Sequence, residues 1–307
     1  MTSVEPPEHV RATFGLREVT PISLGDWEGG WRFGDVVLSP VAGAGRARAG
    51  GGAGRAGGGG APPRPPPAGG AGGRPKTRET LKVDGLRLAR PVRATDGRYV
   101  VSGWRADTYL EGAPEPRHDE VVSVSLRLHQ ATANLERPRF LAQPPVMPWV
   151  DVDVFVAADR AAWEPVPLRT LRAGGAALST SPDGRRSLEL IGQLATLRKP
   201  VQTPPQLVHG DLFGTVLFAG AHTPGLTDIT PYWRPVPWAA GVIVVDALSW
   251  GGADDGLLDR WADLPEWPQM LLRAVMFRLA VHALHPRSTP QAFPGLARTA
   301  DMVRLTL

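Results

Sequence analysis

The feature that most constrains the fold is a polar loop between two short apolar runs, followed by a third run, with one aspartate in the loop and another after the last run. The runs 206–208 and 216–218 are typical of buried strands, and the loop between them contains Asp211. The third run ends at Asp228. We therefore predict three short strands, with both carboxylates facing one crevice.

Two carboxylates at one crevice are suited to phosphoryl transfer. This reaction needs an acceptor oxygen held in line with the phosphorus, and positive charge on the phosphoryl oxygens. Asp211 would orient a hydroxyl nucleophile, and Asp228 would hold Mg²⁺. The triplet 209–211 is also compatible with an ordinary turn between strands, and by itself it favours neither interpretation.

The run 209–212, which reads His-Gly-Asp-Leu, and the following run 216–218 resemble the Brenner-type catalytic loop of the aminoglycoside phosphotransferase family. The fold of that family is similar to the protein-kinase fold. The resemblance implies an α+β, two-lobed, protein-kinase-like fold with a small antiparallel-sheet N-lobe and a mainly helical C-lobe. It also implies that His209 and Asp211 are catalytic residues, with Asp211 as the base.

The same resemblance implies the metal ligands, with two departures from the family pattern. The family has a metal-binding Asn a few residues after the loop Asp, and this chain has Thr215 there. The family's second metal ligand is an Asp that is usually followed by Trp or Phe, whereas Asp228 is followed by Ile229. The resemblance thus implies Asp228 and Thr215 as ligands of Mg²⁺, and ATP as the cofactor.

The residues after the third run carry a second, narrower resemblance. Segment 228–235 reads Asp-Ile-Thr-Pro-Tyr-Trp-Arg-Pro and is similar to a segment of an uncharacterised actinobacterial family of kinase-like proteins. Its aromatic residues, with those up to residue 238, either pack over a helix end or line an acceptor pocket. Arg234 in this segment is a candidate phosphate contact.

Residues 21–38 are typical of three strands joined by turns, and the first turn is rich in glycine. Backbone amides near Gly25, Gly29 and Gly30 are candidates for contact with nucleotide phosphates, because glycine has no Cβ to block the approach. Glycine turns also join hairpins that bind nothing, and this alternative stays open.

The third of these strands lacks a cation that the resemblance requires. The family has a phosphate-binding lysine on this strand, and Ser39 stands at that position. A hydroxyl does not supply the point charge that pairs with the α- and β-phosphates. Glu79 is the candidate for the helix acid that accompanies the lysine, although it has no lysine to pair with.

Segment 105–112 resembles the hinge of the same family, in which an aromatic and an apolar residue precede Glu-Gly. The resemblance implies that an adenine contacts the backbone of Tyr109, Leu110 and Glu111. The apolar spacing of 119–131 predicts a helix, and we interpret His129 on it as a packed structural residue.

The C-terminal part of the chain is predicted to be mainly helical. Apolar runs predict helices over 239–250, 256–262, 268–284 and 290–305. Asp246 lies inside the first of these runs, and we interpret it as a hydrogen-bond anchor of the core.

Residues 42–75 contain only Ala, Gly, Arg and Pro. This composition buries too little apolar area to offset chain entropy, so we predict disorder. The segment is either a natural GC-rich insert or a frame-shifted stretch, and a flexible basic tail for an acidic partner is a third interpretation. The predicted domains are an N-lobe over 1–112, which contains this segment, and a helical C-lobe over 113–307.

Composition removes several functional classes. The chain has Cys 0, which excludes disulfides, thiolate nucleophiles and zinc–cysteine sites. The formal net charge is only +4 and no basic stripe interleaves with aromatic residues, which argues against nucleic acid as a partner. No signal-peptide pattern and no membrane-length apolar run occur, so we expect a cytoplasmic protein without membrane contact. Nothing in the sequence sets an oligomeric state.

The predicted function is that of an ATP-dependent phosphotransferase acting on a small-molecule hydroxyl, with a nucleotide and a small-molecule acceptor as its partners. The alternative is a kinase-like pseudoenzyme, or a nucleotide-binding module without turnover, and Ser39 favours this alternative. No residue marks the identity of the acceptor.

Overall fold

The computed structural model describes residues 4–24, 30–41, 75–142, 151–165, 181–285 and 287–307. The predicted phosphate contacts of Gly25 and Gly29 lie outside the described residues. The segment 42–75, predicted to be disordered, also lies outside them except for Pro75, which begins a helix.

The chain forms two compact units. The first takes its described residues from Met1–Gly54, Pro66–Glu115 and Gly214–Pro231, and the second from Pro116–Phe213 and Tyr232–Leu307. The first unit therefore contains the segment after the predicted catalytic loop as well as the N-terminal part. The domain boundary predicted after residue 112 lies close to the break at Glu115 and stays a prediction.

The described residues form nine helices and eleven strands, numbered here in chain order. The helices are α1 (Glu8–Thr13), α2 (Pro75–Thr80), α3 (His118–Thr132), α4 (Asp151–Trp163), α5 (Pro182–Ala195), α6 (Val236–Ser249), α7 (Leu257–Arg260), α8 (Trp267–Leu284) and α9 (Ala292–Arg304). The strands are β1 (Ile22–Ser23), β2 (Trp31–Phe33), β3 (Val36–Pro40), β4 (Arg87–Leu88), β5 (Pro91–Val92), β6 (Val100–Val101), β7 (Trp104–Thr108), β8 (Gln206–His209), β9 (Val216–Leu217), β10 (Gly225–Leu226) and β11 (Pro231–Arg234).

The main sheet of the first unit has the strand order β1-β2-β3-β7-β5, and β6 also pairs with β7. All of these pairs are antiparallel. The antiparallel N-terminal sheet and the three strands predicted within 21–38 are confirmed. Gly34 closes the turn between β2 and β3 at φ 58°, a conformation that glycine adopts without a Cβ clash.

One face of the main sheet is apolar. Leu38 on β3 pairs with Ala106 on β7, and both belong to a buried cluster with Phe33. Val10 and Phe14 of the α1 region belong to the same cluster. The burial of this face accounts for the apolar positions in the three N-terminal strands.

The other face of the main sheet carries polar side chains. Ser39 on β3 pairs with Arg105 on β7, and Val37 pairs with Asp107. Directly paired residues point to the same side of an antiparallel sheet, and successive residues point to opposite sides. Ser39, Arg105 and Asp107 therefore share the face that is turned away from the apolar cluster.

A smaller, three-stranded sheet in the first unit positions Asp228. Strand β10 pairs with β9 in antiparallel and with β4 in parallel orientation. Asp228 follows β10, so the three strands predicted around the two aspartates are present as β8, β9 and β10. Strand β8 pairs with β11 rather than with β9.

The second unit is organised around α8, which is buried over almost its whole length. Helix α8 packs against α4, α5, α6 and α9. The helices predicted over 239–250, 268–284 and 290–305 are confirmed as α6, α8 and α9. In the part of the chain that the structure describes, no helix is both long and apolar enough to span a membrane.

Candidate active site

The loop after β8 is held by two histidines. The backbone N–H of His209 donates to Nε2 of His129 on α3 at 2.8 Å, and the backbone N–H of Asp211 donates to Nδ1 of His209 at 3.1 Å. Both imidazoles are buried. The structure thus brings the predicted catalytic residues His209 and Asp211 together, and it uses the His209 ring to support the loop backbone.

The partners of His129 fix its tautomer. Because Nε2 accepts a hydrogen bond, the ring proton lies on Nδ1, which is 3.3 Å from Oγ of Ser125. Burial, with a smaller contribution from His209, lowers the pKa of His129 to about 3. His129 is therefore neutral, and it acts on the loop as a packed hydrogen-bond acceptor.

The carboxylate of Asp211 is oriented by a buried arginine. Oδ1 of Asp211 accepts a hydrogen bond from Nη2 of Arg278 on α8 at 2.7 Å. The same guanidinium binds both carboxylate oxygens of Asp246 on α6, at 2.7 Å for Nε and Oδ1. Burial by itself lowers the pKa of Arg278, but the two carboxylates raise it above its ordinary value, so the guanidinium stays charged. Asp246 is thus an anchor of the core, as the sequence indicated.

Gly210, between His209 and Asp211, lies against an aromatic ring. A Cβ at this position would lie 2.5 Å from Cε2 of Tyr232 and 3.2 Å from Cη2 of Trp238. These two rings pack edge-on against each other and against Phe277 of α8. Tyr232 and Trp238 are buried, so these members of the predicted aromatic segment pack against the helices.

Asp228 belongs to an ionic cluster in the first unit. Its Oδ2 accepts a hydrogen bond from Nη2 of Arg105 at 2.9 Å, and its Oδ1 lies 3.7 Å from Nη1 of Arg78 on α2. Arg78 and Arg105 also pair with Asp107, at 2.9 and 3.3 Å. All four side chains are at least five-sixths buried, with exposures between 7% and 14%. We name Arg78, Arg105, Asp107 and Asp228 the Arg–Asp cluster.

The surroundings of Asp228 do not fit a preformed magnesium site. Both of its oxygens are engaged, because Oδ1 also accepts the backbone N–H of Ile229 at 2.8 Å. Two guanidinium groups beside the carboxylate repel a divalent cation. Among the described residues, no three His, Cys, Asp or Glu side chains come together as a metal site. The assignment of Asp228 and Thr215 as metal ligands stays a prediction.

The predicted hinge follows β7 directly. The N–H of Tyr109 donates to a carbonyl in the β2–β3 turn at 2.8 Å, and the carbonyl of Glu111 accepts from Arg87 at 3.1 Å. The guanidinium of Arg32 lies 3.7 Å from the centre of the Tyr109 ring. Within the described residues, the N–H and C=O of Leu110 make no hydrogen bond.

Gly30 allows β2 to approach Ser39 on β3 closely. A Cβ on Gly30 would lie 2.9 Å from Oγ of Ser39 and 3.1 Å from the carbonyl oxygen of Leu38. This close approach explains the glycine by packing, and its contact with a nucleotide stays a prediction.

Two charged side chains have partners other than those expected from the sequence. Glu79 binds Arg93 through both carboxylate oxygens, at 3.0 and 3.1 Å, while its neighbour Arg78 points into the Arg–Asp cluster. Adjacent positions of a helix face different sides, which separates these two residues. Arg234, the candidate phosphate contact, binds both oxygens of Asp159 at 2.8 and 2.7 Å.

The cations beside both aspartates were not predicted from the sequence. Arg278 had a usable signal, because a charged residue inside a long apolar helix needs a buried partner. Arg105 and Arg78 had no such signal in the sequence, because their partners depend on the register of β3 with β7 and on the packing of α2. Asp211 belongs to the second unit and Asp228 to the first, and their common crevice stays a prediction.

Two solved structures resemble the chain over almost its whole length. Both are variants of a thermostable mutant of aminoglycoside phosphotransferase APH(4)-Ia, each in a ternary complex with AMP-PNP and hygromycin B. Each is 15% identical to this chain, with a TM-score of 0.51, and the match covers 99% of this chain and 98% of the other. The chain has the fold of this phosphotransferase. The predicted α+β, protein-kinase-like fold is thereby confirmed.

A third similar structure is a spectinomycin phosphotransferase in complex with ADP and spectinomycin. It is 10% identical, with a TM-score of 0.44, and the match covers 72% of this chain and 77% of the other. No protein-family model matches the sequence, and no curated protein matches it.

Proposed function

We propose that this chain is an ATP-dependent phosphotransferase that transfers the γ-phosphoryl group of ATP to the hydroxyl of a small molecule. The fold supports this proposal, since the similar APH(4)-Ia structures hold AMP-PNP together with hygromycin B. The acceptor does not follow from the fold, because one fold serves many substrates.

The observation that carries the proposal is the double anchoring of Asp211. Phosphoryl transfer needs positioning and charge rather than covalent chemistry from the protein. The backbone of Asp211 is fixed by His209, and its carboxylate is fixed by Arg278. A carboxylate held in this way orients the acceptor hydroxyl in line with the γ-phosphorus and takes its proton as the new P–O bond forms.

The hinge supplies a complementary edge for adenine. Adenine offers neighbouring donor and acceptor groups, and Leu110 has a backbone N–H and C=O that make no hydrogen bond among the described residues. The carbonyl of Glu111 is already bound to Arg87, so we assign the central contact to Leu110. Tyr109 is fixed through its N–H and supports this position.

Asp228 is engaged by Arg105, and its role toward a magnesium ion brought by ATP stays a prediction. Magnesium is therefore varied as a separate condition in the test. The narrower resemblance of 228–235 to an actinobacterial kinase-like family stays a prediction.

The test is transfer of labelled γ-phosphate from ATP to a panel of amino alcohols, aminocyclitols and sugars, with and without magnesium. We expect transfer to at least one acceptor, and a loss of about 10²- to 10⁴-fold in Asp211→Asn with nucleotide binding retained. Asp255→Asn is the matched control, because Asp255 is an exposed partner of Arg298. Equal transfer by Asp211→Asn and the parent would show that Asp211 is not the base.

A nucleotide-binding module without turnover is the second candidate, and Ser39 at the lysine position favours it. The same assay separates the two. Binding of ATP without transfer to any acceptor or to water would support the module.

A further inference from the structure

We propose that Arg105, together with Arg78, supplies the positive charge for the nucleotide phosphates that Ser39 does not supply. This inference rests on the proposed function, and it assigns the phosphate-binding role to a different strand of the main sheet. The cation is thus relocated from β3 to β7.

The register of the main sheet places Arg105 beside Ser39. Arg105 on β7 is the direct partner of Ser39 on β3. Directly paired residues of antiparallel strands point to the same face, with Cβ atoms about 4.5–5.5 Å apart. The side chain of Arg105 therefore starts beside the position of the missing lysine and leaves the sheet on the same side. Gly30 adds no side chain over Ser39 on this side.

Arg105 and Arg78 also approach the carboxylate of Asp228. The resemblance makes Asp228 the acid nearest the phosphates, and in this structure its Oδ2 binds Arg105 at 2.9 Å. Arg78 approaches the same carboxylate from α2, at 3.7 Å. Two guanidinium groups thus converge on the acid that marks the expected phosphate position.

The Arg–Asp cluster contains two buried donors, Nε of Arg78 and Nε of Arg105, and one buried acceptor, Oδ1 of Asp107, that make no hydrogen bond among the described residues. Nε of Arg105 lies 3.3 Å from Oδ2 of Asp107, which is an ion pair without hydrogen-bond geometry. Buried donors without partners are rare in folded proteins. A phosphate offers several acceptor oxygens, and guanidinium donors match them in geometry as well as in charge.

The two acids of the cluster act as counter-ions that hold the arginines in place. Asp107 and Asp228 balance the charges of Arg78 and Arg105, so the cluster is neutral overall. The phosphates of a nucleotide compete with these carboxylates for the same guanidinium groups. Asp228 is thus a competing counter-ion of Arg105, and Arg105 binds the phosphates.

The experiment compares the affinities of ADP and adenosine in the full-length protein, measured by calorimetry without metal. The variants are Arg105→Gln, Arg105→Lys and the double variant Ser39→Lys with Arg105→Gln, which returns a cation to β3. Arg98→Gln is the matched control, because Arg98 is an exposed arginine of the same unit that pairs with Asp96. Circular dichroism and Tm report whether each variant is folded.

We expect Arg105→Gln to weaken ADP binding by about tenfold to a hundredfold and to leave adenosine binding unchanged, as for loss of a charged hydrogen bond. Arg105→Lys and the double variant should recover part of the ADP affinity, and Arg98→Gln should match the parent. A phosphate-binding role is specific to ADP, whereas a purely structural role would weaken both ligands equally.

Two outcomes would overturn the inference alone. One is a folded Arg105→Gln protein that binds ADP as the parent does, and the other is an equal loss of ADP and adenosine. If Arg105→Gln does not fold, Arg105→Lys is compared with the parent instead: a folded Arg105→Lys protein that loses ADP and adenosine affinity equally would overturn the inference. If the parent itself binds neither ligand, the proposed function fails, and the inference fails with it.

Discussion

At Arg278, one guanidinium binds two buried carboxylates, those of Asp211 and Asp246. Removing the cation leaves both carboxylates without compensation in the core. The penalty for an uncompensated buried charge exceeds the net stabilisation that a buried ion pair contributes. Asp211 therefore depends on Arg278 for its orientation, and the fold of the second unit depends on it for stability.

Arg278→Met should lower the free energy of unfolding by about 3–5 kcal/mol, which is the usual range for breaking a buried pair. Urea unfolding followed by circular dichroism measures the change. Arg304→Met is the control, since Arg304 is exposed and lies 3.9 Å from Asp301. The control should change stability by less than about 1 kcal/mol. An equally small change in Arg278→Met would mean that Asp211 and Asp246 are stabilised by other groups.

For Asp228, the two possible roles lead to opposite results. If Asp228 is a metal ligand, Asp228→Ala should remove magnesium-dependent nucleotide binding. If it is the counter-ion of Arg105, the same substitution frees the guanidinium, and ADP should bind more tightly in the presence of EDTA. The contacts lead us to expect the second result. Calorimetric titration of both proteins with ADP distinguishes the two roles. Weaker binding of ADP by Asp228→Ala than by the parent in EDTA would rule out the counter-ion role.

At the scale of the elements, α3 and β8 are joined by polar contacts that continue into the loop that contains Asp211. Oγ1 of Thr132 donates to the carbonyl of Leu207 at 2.9 Å, and Nε2 of Gln206 donates to the carbonyl of His129 at 2.6 Å. His129 accepts the N–H of His209 in turn. The loop is thus held by a helix that is distant in sequence, and its stability is coupled to the protonation of His129.

The stability of the protein should therefore depend on the protonation of His129. The ordinary pKa of 6.5 applies to the unfolded chain, and the folded pKa is about 3. Below pH 6.5 the unfolded state binds more protons, so the contribution of His129 to stability is complete above pH 6.5 and is lost as the pH falls towards 3. The slope is about 1.4 kcal/mol per pH unit for a single group.

His129→Gln removes this titration and keeps an acceptor for the N–H of His209. The difference in unfolding free energy between the parent and His129→Gln should shrink as the pH is lowered from 6.5 to 4. Only the parent loses the stability that the neutral His129 contributes. Denaturant unfolding at several pH values measures it. A difference that is constant with pH would contradict the burial of a neutral His129.

The loop also depends on the absence of a side chain at Gly210. Gly210→Ala places a methyl group against the ring of Tyr232, which should cost about 1–3 kcal/mol and displace Asp211. Tyr232→Leu makes room for the methyl group, so the double variant should be more stable than the sum of the two single changes implies. Unfolding and transfer assays on the three variants measure the coupling between the two substitutions. Strictly additive changes in unfolding free energy would show that residues 210 and 232 are not in contact.

At the scale of the whole molecule, the elements were more predictable than the partners of their charged residues. Apolar periodicity is a local signal, and it placed α6, α8 and α9 correctly. The resemblance carried by 209–212 and 216–218 likewise implied the kinase-like fold. The start of α5 is also set locally, because Oγ of Ser181 accepts the N–H of Gly184 at 3.0 Å and Pro182 takes the first helical position.

The partners of Asp211 and Asp228 were not predictable because they come from distant parts of the chain. Arg278 reaches Asp211 only when α8 packs beside the loop, and Arg105 meets Asp228 only in the register that pairs β7 with β3. Ser39, where the resemblance led us to expect a lysine, therefore indicates a missing cation in the sequence, while the fold pairs the same position with Arg105.

The central claim, that this fold binds ATP for phosphoryl transfer, is tested most directly by calorimetric titration of the full-length protein with ATP, with and without magnesium. We expect saturable binding to one site in the parent, and equal binding in Asp211→Asn, because that substitution affects transfer rather than nucleotide binding. The absence of ATP binding under both conditions, in a parent protein shown to be folded, would contradict the claim.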